Sequence, residues 1–333
     1  LGQVYYQHEL DTELRRQVPQ ATLPAYMSND AARLVGLYNS LGTAAFARVE
    51  GDYAVVLWHT RTGHIIGTRD PQGGYPLFWA KCGETFAFST SVRPLLALLP
   101  SKTLNRQYLA DFLMASGPRN EGGEEACAYA GIQRVVPRTV VTIHKPSKRV
   151  TRQVYWDWLE HLSDPGTTQL ETIAEHYREL LGAAVRARMR GHVVAHCSGG
   201  MDSTSVALLA HEALRTGLRV GTLQTLSLVY ARFPVLAQER HYIEQVFAQE
   251  PELVAHMLQA DTLLNFDAFA DAPPHEEPYT GLWRLETDRA LLQKASQLGA
   301  TTMLSGAGAD DLLDTQPFYL TDLLRRGQYL QAW

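Results

Sequence analysis

The stretch Val193–Leu209, VVAHCSGGMDSTSVALL, limits what this chain can fold into more than any other. Val193-Val194-Ala195-His196 is a short β-branched run of the kind that forms a buried strand. Cys197-Ser198-Gly199-Gly200 reads as a turn, where two residues without Cβ let backbone N–H groups approach a ligand closely. Asp202-Ser203-Thr204 then opens an apolar-periodic run, Val206, Leu208 and Leu209, that suits a helix. Strand, glycine turn and helix N-terminus together make an anion site, because the first-turn N–H groups are unpaired and the dipole is positive there. Asp202 is placed to hold a cation bridging to such anions.

The pattern Ser-Gly-Gly-x-Asp-Ser resembles the pyrophosphate-binding loop of the ATP pyrophosphatases, which split ATP between the α and β phosphates and pass AMP to a substrate oxygen. The resemblance implies nucleotide binding by Ser198, Gly199, Gly200, Asp202, Ser203 and Thr204, with Asp202 as a Mg²⁺ ligand. An ordinary capped strand-to-helix turn is the structural alternative, but it does not ask for six positions in register. No Gly-x4-Gly-Lys-Ser/Thr occurs, which speaks against a kinase-like cradle for a γ-phosphate.

The second half of the chain repeats the theme. A long helix is expected over about 168–189, then strands near 193–196, 223–230, 253–258 and 301–304, with helices at 239–248 and 285–298. Such alternation predicts a parallel, doubly wound sheet whose ligands lie at the carboxyl ends of the strands, near a topological switch. Ser305-Gly306-Ala307-Gly308-Ala309-Asp310-Asp311 follows a strand as the first loop does. It resembles the Ser-Gly-x-Gly-x-Asp-Glu segment of the asparagine synthetase family's synthetase domain. That likeness implies Asp310 as a second Mg²⁺ ligand and Gly306 at the nucleotide, the alternative being an Asp that merely caps the next helix. Thr225-Leu226-Ser227 falls where the family binds adenine and ribose, chiefly through backbone groups, so Ser227 joins the expected nucleotide set. Glu276-Glu277-Pro278-Tyr279 resembles the family's acidic-Pro element on the acceptor side; an exposed, solvated loop is the plain alternative. His192 and His196 are four apart on a strand and do not suggest a metal site.

The first half reads differently. After a weakly helical stretch at 31–41, short strands alternate with tight turns: 45–58 with a turn at Gly51-Asp52, 65–69, 76–80 and 86–89, with no long helix until 105–115. Val49-Glu50-Gly51-Asp52-Tyr53-Ala54 with Leu57-Trp58, then Arg69-Asp70-Pro71-Gln72-Gly73-Gly74-Tyr75-Pro76-Leu77-Phe78, and Gly131-Ile132 with Val136-Pro137 resemble the amino-terminal domain of the same family. The implied fold class is α/β overall: a glutaminase-like α+β sandwich of the N-terminal-nucleophile type over residues 1–158, then a doubly wound, parallel-sheet ATP pyrophosphatase domain over 159–333. Glutaminase chemistry in that fold needs a cysteine at the mature N-terminus, yet residue 1 is Leu and the first cysteine is Cys82, so the first domain is expected to lack that activity. Arg69-Asp70 is expected to be a turn-stabilising ion pair rather than a catalytic one.

Composition narrows the partners. A formal net charge of -5 leaves no basic footprint for nucleic acid. No apolar run approaches the ~18 residues that span a bilayer. Three scattered cysteines suit neither a disulfide framework nor a Cys-x-x-Cys site, so a reducing, cytoplasmic setting is expected. The start at Leu1 and the stop at Trp333 suggest that the natural protein is longer. Ala307 stands where asparagine synthetases typically carry a glutamate and β-lactam synthetases a tyrosine. The chain therefore most resembles the asparagine synthetase-like cyclases of lasso-peptide biosynthesis, as do Asp322-Leu323-Leu324-Arg325-Arg326-Gly327. This implies an AMP-forming carbon–nitrogen ligase using ATP and Mg²⁺, with Asp202 and Asp310 as its key residues. Its partners would be a precursor peptide and a leader peptidase or recognition protein. An asparagine or β-lactam-forming synthetase, and a non-catalytic binding fragment, are the other readings.

Overall fold

The computed structural model describes all residues except 115–124, 164–165, 167, 268–269, 271–274, 279, 314–318, 326, 328 and 330–333. Tyr279 of the acidic-Pro element and Arg326 therefore lie outside the described residues. The chain divides into two compact units. Unit 1 comprises Leu1–Gly166 with Pro273–Leu282, and unit 2 comprises Thr167–Ala272 with Trp283–Trp333.

Unit 1 begins with strand β1 (Gly2–Val4) and helices α1 (Gln7–Gln17), α2 (Leu23–Tyr26) and α3 (Asp30–Leu41). Strands β2 (Gly51–His59), β3 (His64–Arg69), β4 (Phe78–Cys82) and β5 (Thr85–Ser89) follow, then helices α4 (Val92–Leu98) and α5 (Arg106–Met114). Strands β6 (Ile132–Arg134), β7 (Thr139–His144) and β8 (Arg149–Val154) complete it. The strands form a five-stranded sheet, β1-β2-β3-β7-β8, and a three-stranded one, β5-β4-β6, with every pair antiparallel. Ala54, Val141 and Ile143 of the first sheet meet Trp79 of the second and the neighbouring Leu77 and Val135 in one core, so the sheets pack face to face. Leu10, Leu14, Leu34 and Leu37 of α1 and α3 cover the outer face of one sheet, and Val92 and Leu95 of α4 that of the other. The result is the helix–sheet–sheet–helix sandwich that the motifs predicted.

Two details of that prediction are corrected. Gly51-Asp52 is not a turn but the start of β2, paired with Val4 and Gln3 of β1. Glycine is needed there because a Cβ would lie 2.3 Å from the Gln3 carbonyl oxygen. Helix α1 went unread because its apolar stripe is only Leu10 and Leu14, one turn apart in a charged segment. Both are buried, and an ion pair from Arg33 to Asp11 (2.7 Å) ties α1 to α3.

Unit 2 holds helix α6 (Leu170–Arg188), strand β9 (Val193–His196), α7 (Met201–Arg215), β10 (Gln224–Val229), α8 (Pro234–Ala237) and α9 (Glu239–Gln249). Strand β11 (Val254–Gln259), α10 (Leu285–Gln297), β12 (Thr302–Leu304), α11 (Ala309–Leu313) and α12 (Tyr319–Arg325) follow. Its sheet has the order β11-β10-β9-β12 and is parallel throughout. Alternation along β9 sends Val193 and Ala195 into a core with α6 and α7, and Val194 into a second core with Leu291 and Ala295 of α10. Helices thus cover both faces, as a doubly wound sheet requires. Strands β9, β10 and β11 step one way across the sheet, and β12 returns on the other side of β9. The switch point falls between β9 and β12. Among the described residues no helix is long and apolar enough to cross a membrane, and the three cysteines are free, Cys127 and Cys197 buried.

Candidate functional site

Both sequence-predicted glycine loops leave strands at the switch point, one after β9 and one after β12. In the first, Gly199 takes φ +79°, and a Cβ there would lie 2.9 Å from the Ile243 backbone nitrogen of α9. Only glycine combines that conformation with that approach. In the second, a Cβ on Gly306 would lie 2.5 Å from the Ser203 nitrogen and 2.9 Å from the Asp202 Cβ. The β12 loop is therefore pressed directly onto the first turn of α7. Sequence separation hid this contact, yet it is what brings the two loops together.

The side chains of the first loop divide in two. Ser203 is buried, and its hydroxyl accepts from the Ser198 N–H (3.0 Å) and shares a hydrogen bond with Ser198 Oγ (2.9 Å). Ser198 Oγ also accepts from the Gly200 N–H (3.3 Å). Thr204 Oγ1 lies 3.9 Å from Cys197 Sγ. Ser227, wholly buried inside β10 rather than at its end, donates to the Cys197 carbonyl (2.5 Å). These hydroxyls hold the loop's shape; what the loop offers outward is its backbone.

The acids behave oppositely. Asp202 lies in the first turn of α7 and is partly exposed, and Asp310 is exposed at the start of α11. Among the described residues neither has a hydrogen-bond or ion-pair partner. Nor does any group of three His, Cys, Asp or Glu among them form a protein-only metal cage. That donor set fits Mg²⁺, which is commonly held by one or two carboxylates with phosphate oxygens and water completing the shell.

Three further features lie near these loops or on neighbouring strand ends of the same sheet. A cavity of about 350 Å³ is lined by Ser198, Gly199 and Gly200 together with Glu239 and Tyr242 of α9, a size in the range of ligand pockets. Asp261, just past β11, accepts from the backbone of Ala231 (3.0 Å) and Arg232 (2.6 Å), fixing the loop that follows β10. His196, at the end of β9, is held below its ordinary pKa by burial and secondarily by the positive charge of Arg284. Neither Tyr242 nor Asp261 belongs to a spacing pattern; the approach of α9 to the first loop reveals Tyr242, and the contact of the β11 end with the loop after β10 reveals Asp261.

In unit 1, Arg69 and Asp70 stabilise a turn, and they do it through the main chain. Buried Asp70 accepts from the N–H groups of Tyr53 (3.0 Å), Gln72 (3.0 Å), Gly73 (2.7 Å) and Gly74 (2.9 Å). Arg69 donates to the carbonyls of Tyr75, Gly73 (2.6 Å) and Val135 (3.3 Å). Glu276 and Glu277 are half-buried and engaged by partners within unit 1. Glu276 accepts from Ser91 Oγ and the Val92 N–H (both 2.6 Å), and Glu277 from the Ala128 N–H (3.2 Å) and Arg134 (2.5 Å). Burial works against the charge of Arg134, but Glu277 outweighs it, so the guanidinium pKa is raised. Burial lifts the Cys127 thiol beside them to about 11, so it stays protonated.

Residues 1–156 match the family model of a glutamine amidotransferase domain, and residues 176–332 that of asparagine synthase. The amidase chyE of Penicillium rubens is 24% identical over 311 residues, covering 89% of this chain and 44% of that protein. A glutamine-hydrolyzing asparagine synthetase 1 of Bacillus subtilis is 20% identical over 320 residues, covering 92% and 46%, and a glutamine-hydrolyzing asparagine synthetase 3 of the same organism is 24% identical over 212 residues, covering 63% and 33%. The chain spans less than half the length of these relatives. A glutamine phosphoribosylpyrophosphate amidotransferase from B. subtilis, complexed with ADP and GMP, aligns over 91% of this chain and 69% of its own at 14% identity, but with a TM-score of only 0.33. The two domain matches and the synthetase relatives support an asparagine synthetase-like family, with an amidotransferase-like first unit and a parallel-sheet second unit.

Proposed function

We propose that this chain activates a carboxylate with ATP and joins it to an amine, releasing AMP and pyrophosphate. The observation that carries the reading is the packing of Gly306 against Asp202 and Ser203, which sets two acid-bearing loops side by side at the switch point. Asp202 and Asp310 would hold Mg²⁺ there, which supplies positive charge against the polyphosphate. The first-turn N–H groups of α7 bind and orient the phosphates through the helix dipole. A substrate carboxylate oxygen attacks the α-phosphorus and pyrophosphate departs. The amine then attacks the acyl carbon, loses its proton, and AMP leaves. Because AMP leaves readily, the protein contributes mainly positioning and charge stabilisation.

The substrate we favour is a precursor peptide, whose side-chain carboxylate is activated and whose own N-terminal amine closes an isopeptide-bonded macrolactam. Ala307 supports this: exposed in the β12 loop, it carries neither the acid expected of an asparagine synthetase nor the hydroxyl expected of a β-lactam synthetase. The names of the Bacillus relatives favour a second reading, asparagine formation from aspartate and ammonium. AMP release measured with a candidate peptide, and separately with aspartate plus ammonium, decides between them. No ATP binding by calorimetry would leave only a non-catalytic module. ATP–pyrophosphate exchange that survives Asp202→Asn would overturn the metal role.

A further inference from the structure

The five-stranded sheet of unit 1 ends in a row of histidines. His59 closes β2, His64 opens β3 and His144 closes β7, and the ladders set His59 opposite His64 and His64 opposite His144. Cross-strand partners share a face of the sheet, and all three residues are half-buried. The two turns beside them are tied together. The Lys145 N–H donates to the Gly63 carbonyl (3.0 Å), and a Cβ on Gly63 would lie 3.0 Å from Pro146 Cδ. Hydrogen bonds along the row then assign its protons. The Thr62 N–H, which can only donate, meets His59 Nδ1 (3.3 Å), so that nitrogen accepts and neutral His59 carries its proton on Nε2. The Thr62 hydroxyl therefore also donates to His59 Nδ1 (2.9 Å) and accepts from His64 Nδ1–H (2.8 Å), which leaves the Nε2 lone pair of neutral His64 free. Ser147 Oγ, 2.6 Å from His144 Nδ1, offers the same kind of acceptor. Among the described residues nothing is bonded to Nε2 of His64 or His144.

We propose that His64 and His144 form a two-imidazole site for a divalent transition-metal ion, which joins β3 to β7 at the end of the sheet. Their ring centroids are 4.7 Å apart. With metal–nitrogen bonds of about 2.0–2.1 Å, two imidazoles on one ion at roughly 90–110° have centroids about 4.5–5.2 Å apart, so the ion enters without moving either strand. A hydroxyl on Nδ1 of each ring is the outer support that ligating histidines generally have, fixing tautomer and ring direction. Among the described residues no group of three His, Cys, Asp or Glu completes a cage, so water fills the remaining positions. His59 stays out because its Nε2 is protonated. Imidazole donors suit Cu²⁺, Ni²⁺ and Zn²⁺ and not Mg²⁺, which prefers oxygen, so Mg²⁺ does not compete for this site. Arg149, opposite His144 on β8, opposes the bound charge and holds the affinity below that of a full cage.

The test is calorimetry with Zn²⁺ on the full chain, in excess Mg²⁺. Wild type binds a Zn²⁺ ion that His64→Ala or His144→Ala weakens by about tenfold or more, while His59→Ala stays within about twofold. Thr62→Val and Ser147→Ala keep both ligands and still lose about tenfold, the usual effect of removing an outer hydrogen bond. Cu²⁺ binds more tightly than Zn²⁺, and its electron paramagnetic resonance spectrum shows two nitrogen ligands in wild type and one in His144→Ala. Added Zn²⁺ raises the unfolding temperature of wild type, and the rise disappears in His64→Ala. Both positions are half-buried at a sheet end, and circular dichroism matching wild type confirms that each variant is folded. A wild type that binds neither Zn²⁺ nor Cu²⁺ overturns the site, as does binding that survives unchanged in folded His64→Ala and His144→Ala. A loss at His59→Ala as large as that at His64→Ala overturns the proton assignment and with it the two-histidine form.

Discussion

Asp70 and Asp202 are both aspartates set among glycines, and the chain uses them in opposite ways. Asp70 is fully buried and surrounded by four backbone N–H groups, so its charge is spent on holding a turn. Asp202 has no partner among the described residues, and the hydroxyls around it are bonded to one another and to the loop. A carboxylate with all its lone pairs engaged is architecture, whereas one left open beside a helix N-terminus is available for chemistry.

The largest effect expected from that contrast is at Asp70. Asp70→Ala lowers unfolding free energy by roughly 4 kcal/mol or more, since each buried donor left unpaired costs about 1–3; thermal and denaturant unfolding measure it. Asp202→Asn leaves stability within about 0.5 kcal/mol, as partner-poor positions do. ATP–pyrophosphate exchange, however, falls about 10²- to 10³-fold, the size typical for removing one preorganised charge-stabilising group. A stability loss at Asp202 matching that at Asp70 would erase the distinction. Gly306→Ala comes next: its Cβ must displace the first turn of α7, costing about 1–3 kcal/mol as overpacking does, seen as a loss of about tenfold or more in nucleotide affinity by calorimetry. Ser227→Ala removes one buried hydrogen bond and costs about 1 kcal/mol, checked by chemical denaturation.

The smallest effect is in pH. Because the folded pKa of His196 is depressed, the unfolded chain binds protons more readily. No penalty exists well above the ordinary value of 6.5; one builds as pH falls through it. Unit 2 should therefore melt lower at pH 5.5 than at 7.5, and His196→Gln should flatten part of that slope in thermal scans.

Much of this was legible because strands and helices of unit 2 carry their periodicity openly. The strand bounds expected at 193–196 and 301–304 differ from the observed ones by a single residue at most. Unit 1 was legible in its turns and motifs but not in α1, whose two-leucine stripe is too thin to stand out among charges. The loop residues of the site were legible as a pattern, but the division of labour among them was not. Nothing local distinguishes Ser203, turned inward, from Asp202, turned out; that depends on where Gly306 and α9 arrive. The partners of Glu276 and Glu277 were hidden for the same reason, lying 143 to 185 residues away.

The return of β12 to the side of β9 also bears on how the molecule forms. Thr301 hydrogen-bonds to His192, 109 positions earlier, with β10, β11 and their helices in between. Closing so long a loop is entropically slow, so the neighbouring β9–β10–β11 register can form first and the β9–β12 ladder later. The pressing of Gly306 onto α7 belongs to that late step. Recovery of nucleotide binding during refolding should then lag behind recovery of helical signal, which makes the ligand a reporter of the chain's final closure.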